Sequence, residues 1–209
     1  FIPQFLSAKN EYEYKYSVLA LWAKIKDSHA GIAEWDNVMY EICGYRQYRL
    51  PLSIKFIENK AVITEYLNQD LGKKTGLLPG DIIETIDGVS VEDIVKERLP
   101  ITSGSNYAVQ LREIAAFLLM SDKEEMHLQY RRNDQVEATT LTSYSSFTFD
   151  LPSIDAIQTI DSNIAYIYPG TIKESDYTPD KMKKILETKG MIIDMRCYPN
   201  IFMTFSYGY

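Results

Sequence analysis

The stretch of residues 76–93, GLLPGDIIETIDGVSVED, is the feature that most constrains how this chain folds. Pro79-Gly80 precedes an apolar run, and Asp87-Gly88 follows that run directly. Glycine adopts positive φ without a Cβ clash, so both pairs predict tight turns. The isoleucine-rich run 81–86 predicts a strand, and residues 89–91 predict its hairpin partner. The stretch therefore favours an antiparallel sheet.

Helical periodicity predicts two longer helices. Residues 11–28 and residues 106–120 each repeat apolar side chains at the spacing of one helical turn. Ser105 is the predicted N-cap of the second helix. Asp36 is the predicted N-cap of a short helix that Gly44 ends. The chain is therefore expected to begin with a small helical segment.

Strand-like segments rich in β-branched residues lie around two further turn signals. Glu58-Asn59-Lys60 and Asn133-Asp134 predict hairpin turns. The strands on either side of these turns are predicted at residues 53–57, 61–67, 126–132 and 136–144.

The last part of the chain changes to a strand–helix–strand pattern. Residues 164–169 predict a strand, and Thr178-Pro179 predicts an N-cap followed by the first helical position. Gly190 is expected to end that helix, and residues 191–195 form a continuous apolar strand. Two strands joined by a crossover helix predict a right-handed parallel unit. Such a sheet normally belongs to a larger α/β domain that covers both of its faces.

The composition argues against several classes of function. The net charge of −7 disfavours binding to nucleic acid, which needs a basic surface. The longest apolar runs are too short to cross a bilayer, so no integral membrane span is predicted. Histidine and cysteine lack the spacing of a zinc site, so neither a metal nor another cofactor is predicted. Cys43 and Cys197 are either a disulfide or two small buried hydrophobic side chains.

Two stretches, in this order, resemble known families. Residues 76–88 resemble the core of a bacterial PDZ domain, a module that binds peptide ends. Residues 189–200, KGMIIDMRCYPN, resemble a strand and loop of the carboxyl-terminal processing (tail-specific) serine peptidases, whose superfamily includes the tricorn core protease. The resemblance implies an α+β fold with three parts: an N-terminal helical segment at 1–48, a PDZ-like β-rich module at 49–144 and an incomplete α/β catalytic domain at 145–209.

The PDZ resemblance implies a peptide-binding groove. In such modules a peptide extends the sheet beside one strand, and the loop before that strand meets the peptide carboxylate. The implied binding residues are Leu50, Pro51, Leu52, Ser53, Ile54, Lys55 and Phe56 of the loop and strand, and Leu111, Ile114 and Ala115 of the facing helix. Pro51 removes one backbone N–H donor from the loop. The alternative is a PDZ-like fold that serves only as a lid or spacer.

The peptidase resemblance implies catalytic positions. His29 lies in the sequence Ser28-His29-Ala30, which resembles the stretch that carries the histidine base in tricorn-like members. Histidine suits this role because its ordinary pKa lies near the operating pH. Other members use a Ser-Lys pair instead. The alternative is a histidine at a helix end that bonds nearby carbonyl groups. Cys197 and Tyr198 lie in the loop whose backbone N–H groups help form the oxyanion hole in relatives. Here that loop lacks the usual glycines.

The same resemblance leaves other positions open. Asp194 and Arg196 either belong to the active-site motif or form a structural ion pair. The nucleophilic serine of the family follows the Asp-x-Arg strand at some distance, so we expect it beyond Tyr209 rather than at Ser206. Phe1 is not an initiator methionine, so an upstream segment is expected.

Together these observations predict a fragment of a serine endopeptidase that cleaves polypeptides near their C-termini and is inactive alone. The alternative is a non-catalytic PDZ-containing envelope protein that binds peptides or lipids. The expected partners are polypeptide substrates or their C-termini. The resemblance implies an extracytoplasmic location, in the periplasm or cell envelope of a bacterium.

Overall fold

The structure is a computed structural model that describes residues 1–28, 36–150, 154–161 and 163–197. Contacts divide the chain into two compact units, Phe1–Asp150 and Leu151–Tyr209. Each unit combines helices with strands, so the expected α+β class is confirmed. The start of a peptidase domain and the three-part division at 48 and 144 stay predictions.

The first unit contains most of the secondary structure. Its helices are α1 (Ile2–Ser7), α2 (Glu11–Trp22), α3 (Asn37–Ile42), α4 (Gln69–Lys74), α5 (Val91–Arg98) and α6 (Tyr107–Ala116), with 3-10 turns at Ala23–Ile25 and Leu99–Ile101. Its strands are β1 (Tyr48–Arg49), β2 (Leu52–Ile57), β3 (Lys60–Tyr66), β4 (Ile82–Ile86), β5 (Val89–Ser90), β6 (Met120–Ser121), β7 (Glu125–Arg132) and β8 (Gln135–Thr142).

Among the described residues, six of these strands form one antiparallel sheet. The strand order is β2-β3-β4-β7-β8, and β5 pairs with β4 beside that path. Strands β2 and β8 therefore form the two edges of the sheet. The short strands β1 and β6 pair separately, and Arg49 also forms a bridge with Tyr144.

The predicted turns explain why these strands pair as they do. Glu58 and Asn59 both have positive φ, and so do Asp87 and Gly88. Two residues with positive φ form the type I′ turn, whose twist matches that of a hairpin. Asn133 and Asp134 join β7 to β8 in the same way. The three predicted hairpin turns are confirmed.

The helices differ more from prediction. Residues 89–91 were expected to continue a strand, but Val91 begins α5, whose N-cap Ser90 accepts a hydrogen bond from Asp93 N–H at 3.0 Å. The expected N-cap Ser105 is wrong, because Asn106 accepts the bond from Val109 N–H instead. Helix α4 was not predicted. Asp36 does cap α3, as expected.

One hydrophobic core connects the sheet to α5 and α6. Its fully buried members come from every central strand, from α6 and from the loops beside the sheet: Leu50, Ile63, Leu77, Ile83, Ile114, Met126 and Leu128. A smaller cluster joins the N-terminal helices to the turn after α5 through Leu19, Met39, Ile42 and Ile101. The 76–81 loop contributes Leu77 to the core, as the apolar pattern suggests.

The second unit contains the predicted parallel pair. Its described elements are β9 (Ile157–Ile160), β10 (Ile164–Ile167), α7 (Pro179–Leu186) and β11 (Gly190–Ile193), with a 3-10 turn at Glu174–Asp176. Strand β10 runs parallel to β11 and antiparallel to β9. Thr178 caps α7 as predicted, but Gly190 begins β11 rather than ending α7.

No helix within the described ranges is both long enough and apolar enough to span a membrane.

We predict that the ion pair between buried Asp81 and half-buried Arg132 stabilises the first unit. Asp81 is 3% exposed and accepts Arg132 Nε at 2.7 Å and Nη2 at 2.5 Å, as well as Leu78 N–H at 2.7 Å. The Arg132 side chain is 27% exposed, so water screens much of the charge that remains; loss of the charge-assisted bonds in Asp81→Asn should lower the free energy of unfolding by roughly 2 kcal/mol.

Urea denaturation followed by tryptophan fluorescence measures this loss, because both tryptophans lie in the first 150 residues. The control is Glu113→Gln, which removes the exposed pair with Arg112 and should cost under about 1 kcal/mol. Equal effects of the two substitutions would contradict the assignment.

Candidate functional site

The outer edge of β2 is the structural feature that most resembles a binding site. Among the described residues, no strand pairs with this edge, since β2 is the first strand in the sheet order. An unpaired edge presents a row of N–H and C=O groups that can bond another extended chain. Helix α6 packs along the same strand, so this edge forms one wall of a groove.

The register of β2 determines which backbone groups face outward. Leu67 N–H donates to the Pro51 carbonyl at 2.9 Å, so Pro51 and Leu67 form a hydrogen-bonded pair. Because such pairs alternate along an antiparallel ladder, the next pair, Leu52 and Tyr66, is not hydrogen-bonded, and the backbone groups of Leu52 face away from β3. Ile63, opposite Ile54, has its N–H bonded to Asp81 C=O instead.

By the same alternation, Phe56 also points its backbone groups away from β3, because its partner Ala61 pairs with Ile83 of β4. Leu52, Ile54 and Phe56 thus offer three N–H and three C=O groups at the free edge. Ser53 and Lys55 instead bond to β3.

The side chains of these alternate residues line the groove. Leu52 and Ile54 are buried in the core, and Phe56 packs against it. From α6, Leu111 and Ala115 belong to the same apolar contacts. The groove therefore has an apolar floor between strand and helix.

One cavity lies at the start of this groove, and a second lies on the face of the sheet nearby. The first has about 90 Å³ and is lined by residues around the start of β2 and the end of α6: Arg49, Leu52, Ser53, Ile54, Leu67, Ala115, Ala116 and Leu119. The second has about 540 Å³ and lies over the sheet beside α5 and α6, because Ile82, Glu84 and Val95 line it together with Phe56, Tyr107 and Leu111. The two cavities share no lining residue, so only the small one lies at the start of β2.

The loop before β2 has few free backbone donors. Leu50 N–H donates to the Leu119 carbonyl at 3.1 Å, and Pro51 has no N–H. Of the loop residues, only Leu52 therefore keeps an N–H that faces the free edge. The loop therefore has few free N–H donors, as expected from the proline at position 51.

Arg49 places a guanidinium at this donor-poor end. Its Nη2 donates to the Ala116 carbonyl at the end of α6, and its side chain lines the 90 Å³ cavity. Burial lowers the pKa of the Arg49 guanidinium from its ordinary value. Within the described ranges no carboxylate forms an ion pair with it.

The structure brings the predicted peptide-binding residues together, but in different roles. Leu50, Pro51, Leu52, Ile54, Leu111 and Ile114 are buried, Ser53, Phe56 and Ala115 are half-buried, and Lys55 is exposed. Leu50, Pro51 and Ile114 lie beneath the surface, so their side chains support the groove rather than line it. Whether these residues bind peptide stays a prediction.

Sequence reasoning missed Tyr107, Leu67 and Leu119 as lining residues. Tyr107 begins α6 and is one helical turn before Leu111, so the i, i+4 spacing could have found it. Leu119 follows the end of the helix, and its carbonyl accepts a hydrogen bond from Leu50 N–H, which holds Leu119 beside the pocket. No local sequence pattern predicts that contact.

The predicted catalytic residues are not assembled in the described residues. His29 and Tyr198 lie outside the part of the chain that the structure describes. Cys197 belongs to the second unit, and its thiol contacts the Asp194 carbonyl at 3.6 Å. Cys43 and Cys197 are both free thiols. No group of acidic, histidine or cysteine side chains that could hold a metal occurs among the described residues.

Asp194 has the geometry of a structural ion pair. Its carboxylate accepts Arg196 Nε at 2.8 Å, Arg196 Nη2 at 2.6 Å and the Tyr166 hydroxyl at 2.6 Å. The bonds from Arg196, then the one from Tyr166, hold the pKa of Asp194 well below its usual range. These partners fix the end of β11 to the neighbouring strand β10.

Comparison with known proteins gives a weak structural likeness. No known protein family matches the chain, and no curated protein matches it. Among solved structures, the chain is similar to a PDZ domain protein from Parabacteroides distasonis ATCC 8503, with a TM-score of 0.34 and 13% identity. The match covers 71% of this chain and 39% of that protein, so this chain spans well under half of its length. The evidence for the groove is therefore the strand order and the contacts described above.

We predict that Asp194 stays ionised in acid. Its folded pKa is depressed, so any stability it contributes is present above the unfolded pKa and is lost as pH falls through the folded pKa. The ¹³C shift of its carboxyl group should therefore stay that of a carboxylate down to about pH 3, whereas ordinary aspartates titrate near pH 4. The double substitution Tyr166→Phe and Arg196→Gln should restore titration near pH 4. An ordinary titration in the unaltered protein would contradict the pairing.

Proposed function

We propose that the first unit binds extended peptides by adding them as a strand to the free edge of β2. The observation that supports this is the alternation in β2, where Leu52, Ile54 and Phe56 present backbone donors and acceptors outward. A peptide of three to five residues can pair with this row, since strand addition uses main-chain hydrogen bonds. This function agrees with the peptide-binding role that the PDZ resemblance implies.

The facing helix explains how side chains of a bound peptide would be distinguished. Alternate residues of an added strand point toward α6, where the small pocket at Ala115 and the wider space near Tyr107 lie. The pocket of about 90 Å³ accepts a small side chain, which would lie beside Arg49 and Ser53 as well as Leu52 and Ala115. The wider space on the face of the sheet, which Lys60 and Glu92 also line, accepts a longer or polar one.

The opposite edge of the sheet is a poorer candidate. Among the described residues, strand β8 is also unpaired on its outer side, but most of its residues are exposed and no helix packs along it. An added strand there would find hydrogen bonds without an apolar floor. Only the β2 edge combines both, within the described residues.

The peptidase assignment is a second candidate function. The parallel pair β10 and β11, joined through α7, supports it, together with the exposure of all four β11 residues. A parallel strand with an apolar sequence and uncovered faces is typical of part of a larger α/β sheet. On this proposal the PDZ-like unit delivers polypeptides to a serine peptidase in the bacterial periplasm or envelope. The alternative is the non-catalytic envelope protein that binds peptides or lipids.

Serine-directed labelling separates these two candidates. The full-length protein treated with a fluorophosphonate should be labelled at one serine if it is a peptidase, and mutation of that serine should abolish cleavage of an unfolded protein. Absence of labelling in the folded full-length protein would remove the peptidase proposal and leave peptide binding standing.

We predict that Ala115→Trp blocks the groove. Ala115 is half-buried in the small pocket, so an indole there occupies the space of a peptide side chain. The affinity for the best binder from an array of randomised octapeptides, measured in solution by fluorescence anisotropy, should fall at least about ten-fold, or 1.4 kcal/mol.

The matched control is Arg112→Trp on the same helix, whose side chain is 68% exposed and lies outside the groove. Its affinity should stay within about two-fold of the unaltered chain. Failure of any octapeptide to bind, or equal binding by both variants, would refute strand addition at β2.

A further inference from the structure

A cavity of about 340 Å³ lies between the N-terminal helices and α6, within the first unit. Its lining is mainly apolar and aromatic and includes Leu19, Trp22, Tyr40, Ile101, Ile114 and Phe117. A cavity of about 150 Å³ with an apolar lining accepts benzene, so this larger one has room for an aromatic ring and a short tail. The proposed peptide binding does not use it.

This cavity lies on the side of α6 that faces away from β2. Glu113 and Phe117 line the cavity. Leu111 and Ala115, each two positions earlier in the sequence, belong instead to the apolar contacts beside β2. Two positions along a helix are separated by about half a turn, so the two pairs lie on opposite faces. The cavity is therefore separate from the proposed peptide groove.

Glu113 gives the cavity a negative charge, and it is the only charged side chain among the described lining residues. Its Oε1 accepts hydrogen bonds from Arg112 Nε at 3.1 Å and Nη2 at 2.6 Å, whereas its Oε2 accepts none from a described residue. Burial raises the pKa of the Cys43 thiol to about 11, so this lining group is neutral near physiological pH. One carboxylate oxygen is therefore available to a ligand.

The lining hydroxyl groups of Thr102 and Ser103 remain as acceptors. Thr102 Oγ1 donates to the Arg98 carbonyl at 2.8 Å. Ser103 Oγ donates to the Asp27 carbonyl at 2.7 Å. A hydroxyl has a single proton to donate, so both oxygens offer only lone pairs to a ligand. These groups suit a ligand that donates hydrogen bonds or carries a positive charge.

Arg98 is a basic residue near Cys43 that does not line the cavity. Its guanidinium packs against Gly44, where an added Cβ would lie 2.3 Å from Cζ of Arg98. An anionic ligand would therefore find no cation among the described lining residues. The groups that face the cavity favour a cation instead.

We propose that this cavity binds a small organic amine in its protonated form. The ammonium group lies beside Glu113 Oε2, and the apolar body of the amine fills the space among the aliphatic and aromatic side chains. Trp22, Tyr40 and Phe117 add to the attraction, because the face of an aromatic ring carries partial negative charge that favours a nearby cation. This binding is independent of the proposed strand addition at β2.

The first test compares three probes that share one apolar body and differ in charge: phenylpropylammonium, phenylpropanol and phenylbutyrate. Isothermal titration calorimetry measures their affinities for the unaltered chain. The ammonium should bind at least about ten-fold more tightly than the carboxylate and at least about three-fold more tightly than the alcohol.

The Cys43 thiol reports where the probe binds, because Cys43 lines the cavity. The Cys197→Ser chain leaves Cys43 as the single cysteine, and its alkylation by N-ethylmaleimide is followed by mass spectrometry. Saturating phenylpropylammonium should slow this alkylation several-fold, whereas phenylbutyrate at the same concentration should not. This measurement needs no substitution in the cavity itself.

Two substitutions in the exposed pair at the cavity should change the affinity for the ammonium in opposite directions. Glu113→Gln removes the negative charge and should reduce the preference for ammonium over carboxylate to under about three-fold. Arg112→Gln releases Glu113 Oε1, so the affinity for the ammonium should rise about two-fold. The matched control is Glu65→Gln, which removes an exposed carboxylate on β3 and should leave the affinity within about two-fold.

Several results would overturn the inference. Phenylbutyrate that binds as tightly as the ammonium would assign the cavity to an anion, with Arg98 as its partner. Binding of the ammonium without protection of Cys43 would place the probe elsewhere. Absence of binding by all three probes, or equal losses in Glu65→Gln and Glu113→Gln, would refute a cation site here. Octapeptide binding at β2 is measured separately, so each of these results leaves strand addition intact.

Discussion

The unpaired backbone edge of β2 is the constraint on which this account depends. Backbone groups at a sheet edge must bond to water or to another chain, and natural proteins usually cover or blunt such edges. Here α6 stands beside the edge without bonding to it, and the buried side chains of Leu52 and Ile54 hold strand and helix together. The result is a row of outward hydrogen-bonding groups above an apolar floor, which is what an extended peptide requires.

The loop that leads into β2 changes the chemistry of that groove. Because Leu50 N–H donates to the carbonyl of Leu119, which follows α6, and Pro51 carries no donor, the loop offers few backbone donors to a ligand. Arg49 reaches the same helix end through Ala116. A positive charge near a helix C-terminus is stabilising, so Arg49 has a structural role at the end of α6.

Much of the fold could be predicted from the sequence, because its turns are encoded locally. Asp87-Gly88 and Asn133-Asp134 adopt positive φ through their own chemistry, and they determine the hairpins around them. Helix α5 was missed because its first residue, Val91, suits a strand equally well. The site was only partly predictable, because the bond from Leu50 to Leu119 joins residues far apart in sequence. The catalytic assignment rests on residues such as His29 that the structure does not describe.

Residue-specific amide hydrogen exchange in β2 tests the central claim most directly. We expect Leu52, Ile54 and Phe56, whose N–H groups face the free edge, to exchange rapidly, and Ser53 and Lys55, which bond to β3, to exchange slowly. Saturating peptide should then slow the first three amides and leave the others unchanged. Equal protection along the whole strand without peptide, or peptide-induced protection confined to β8, would contradict the account.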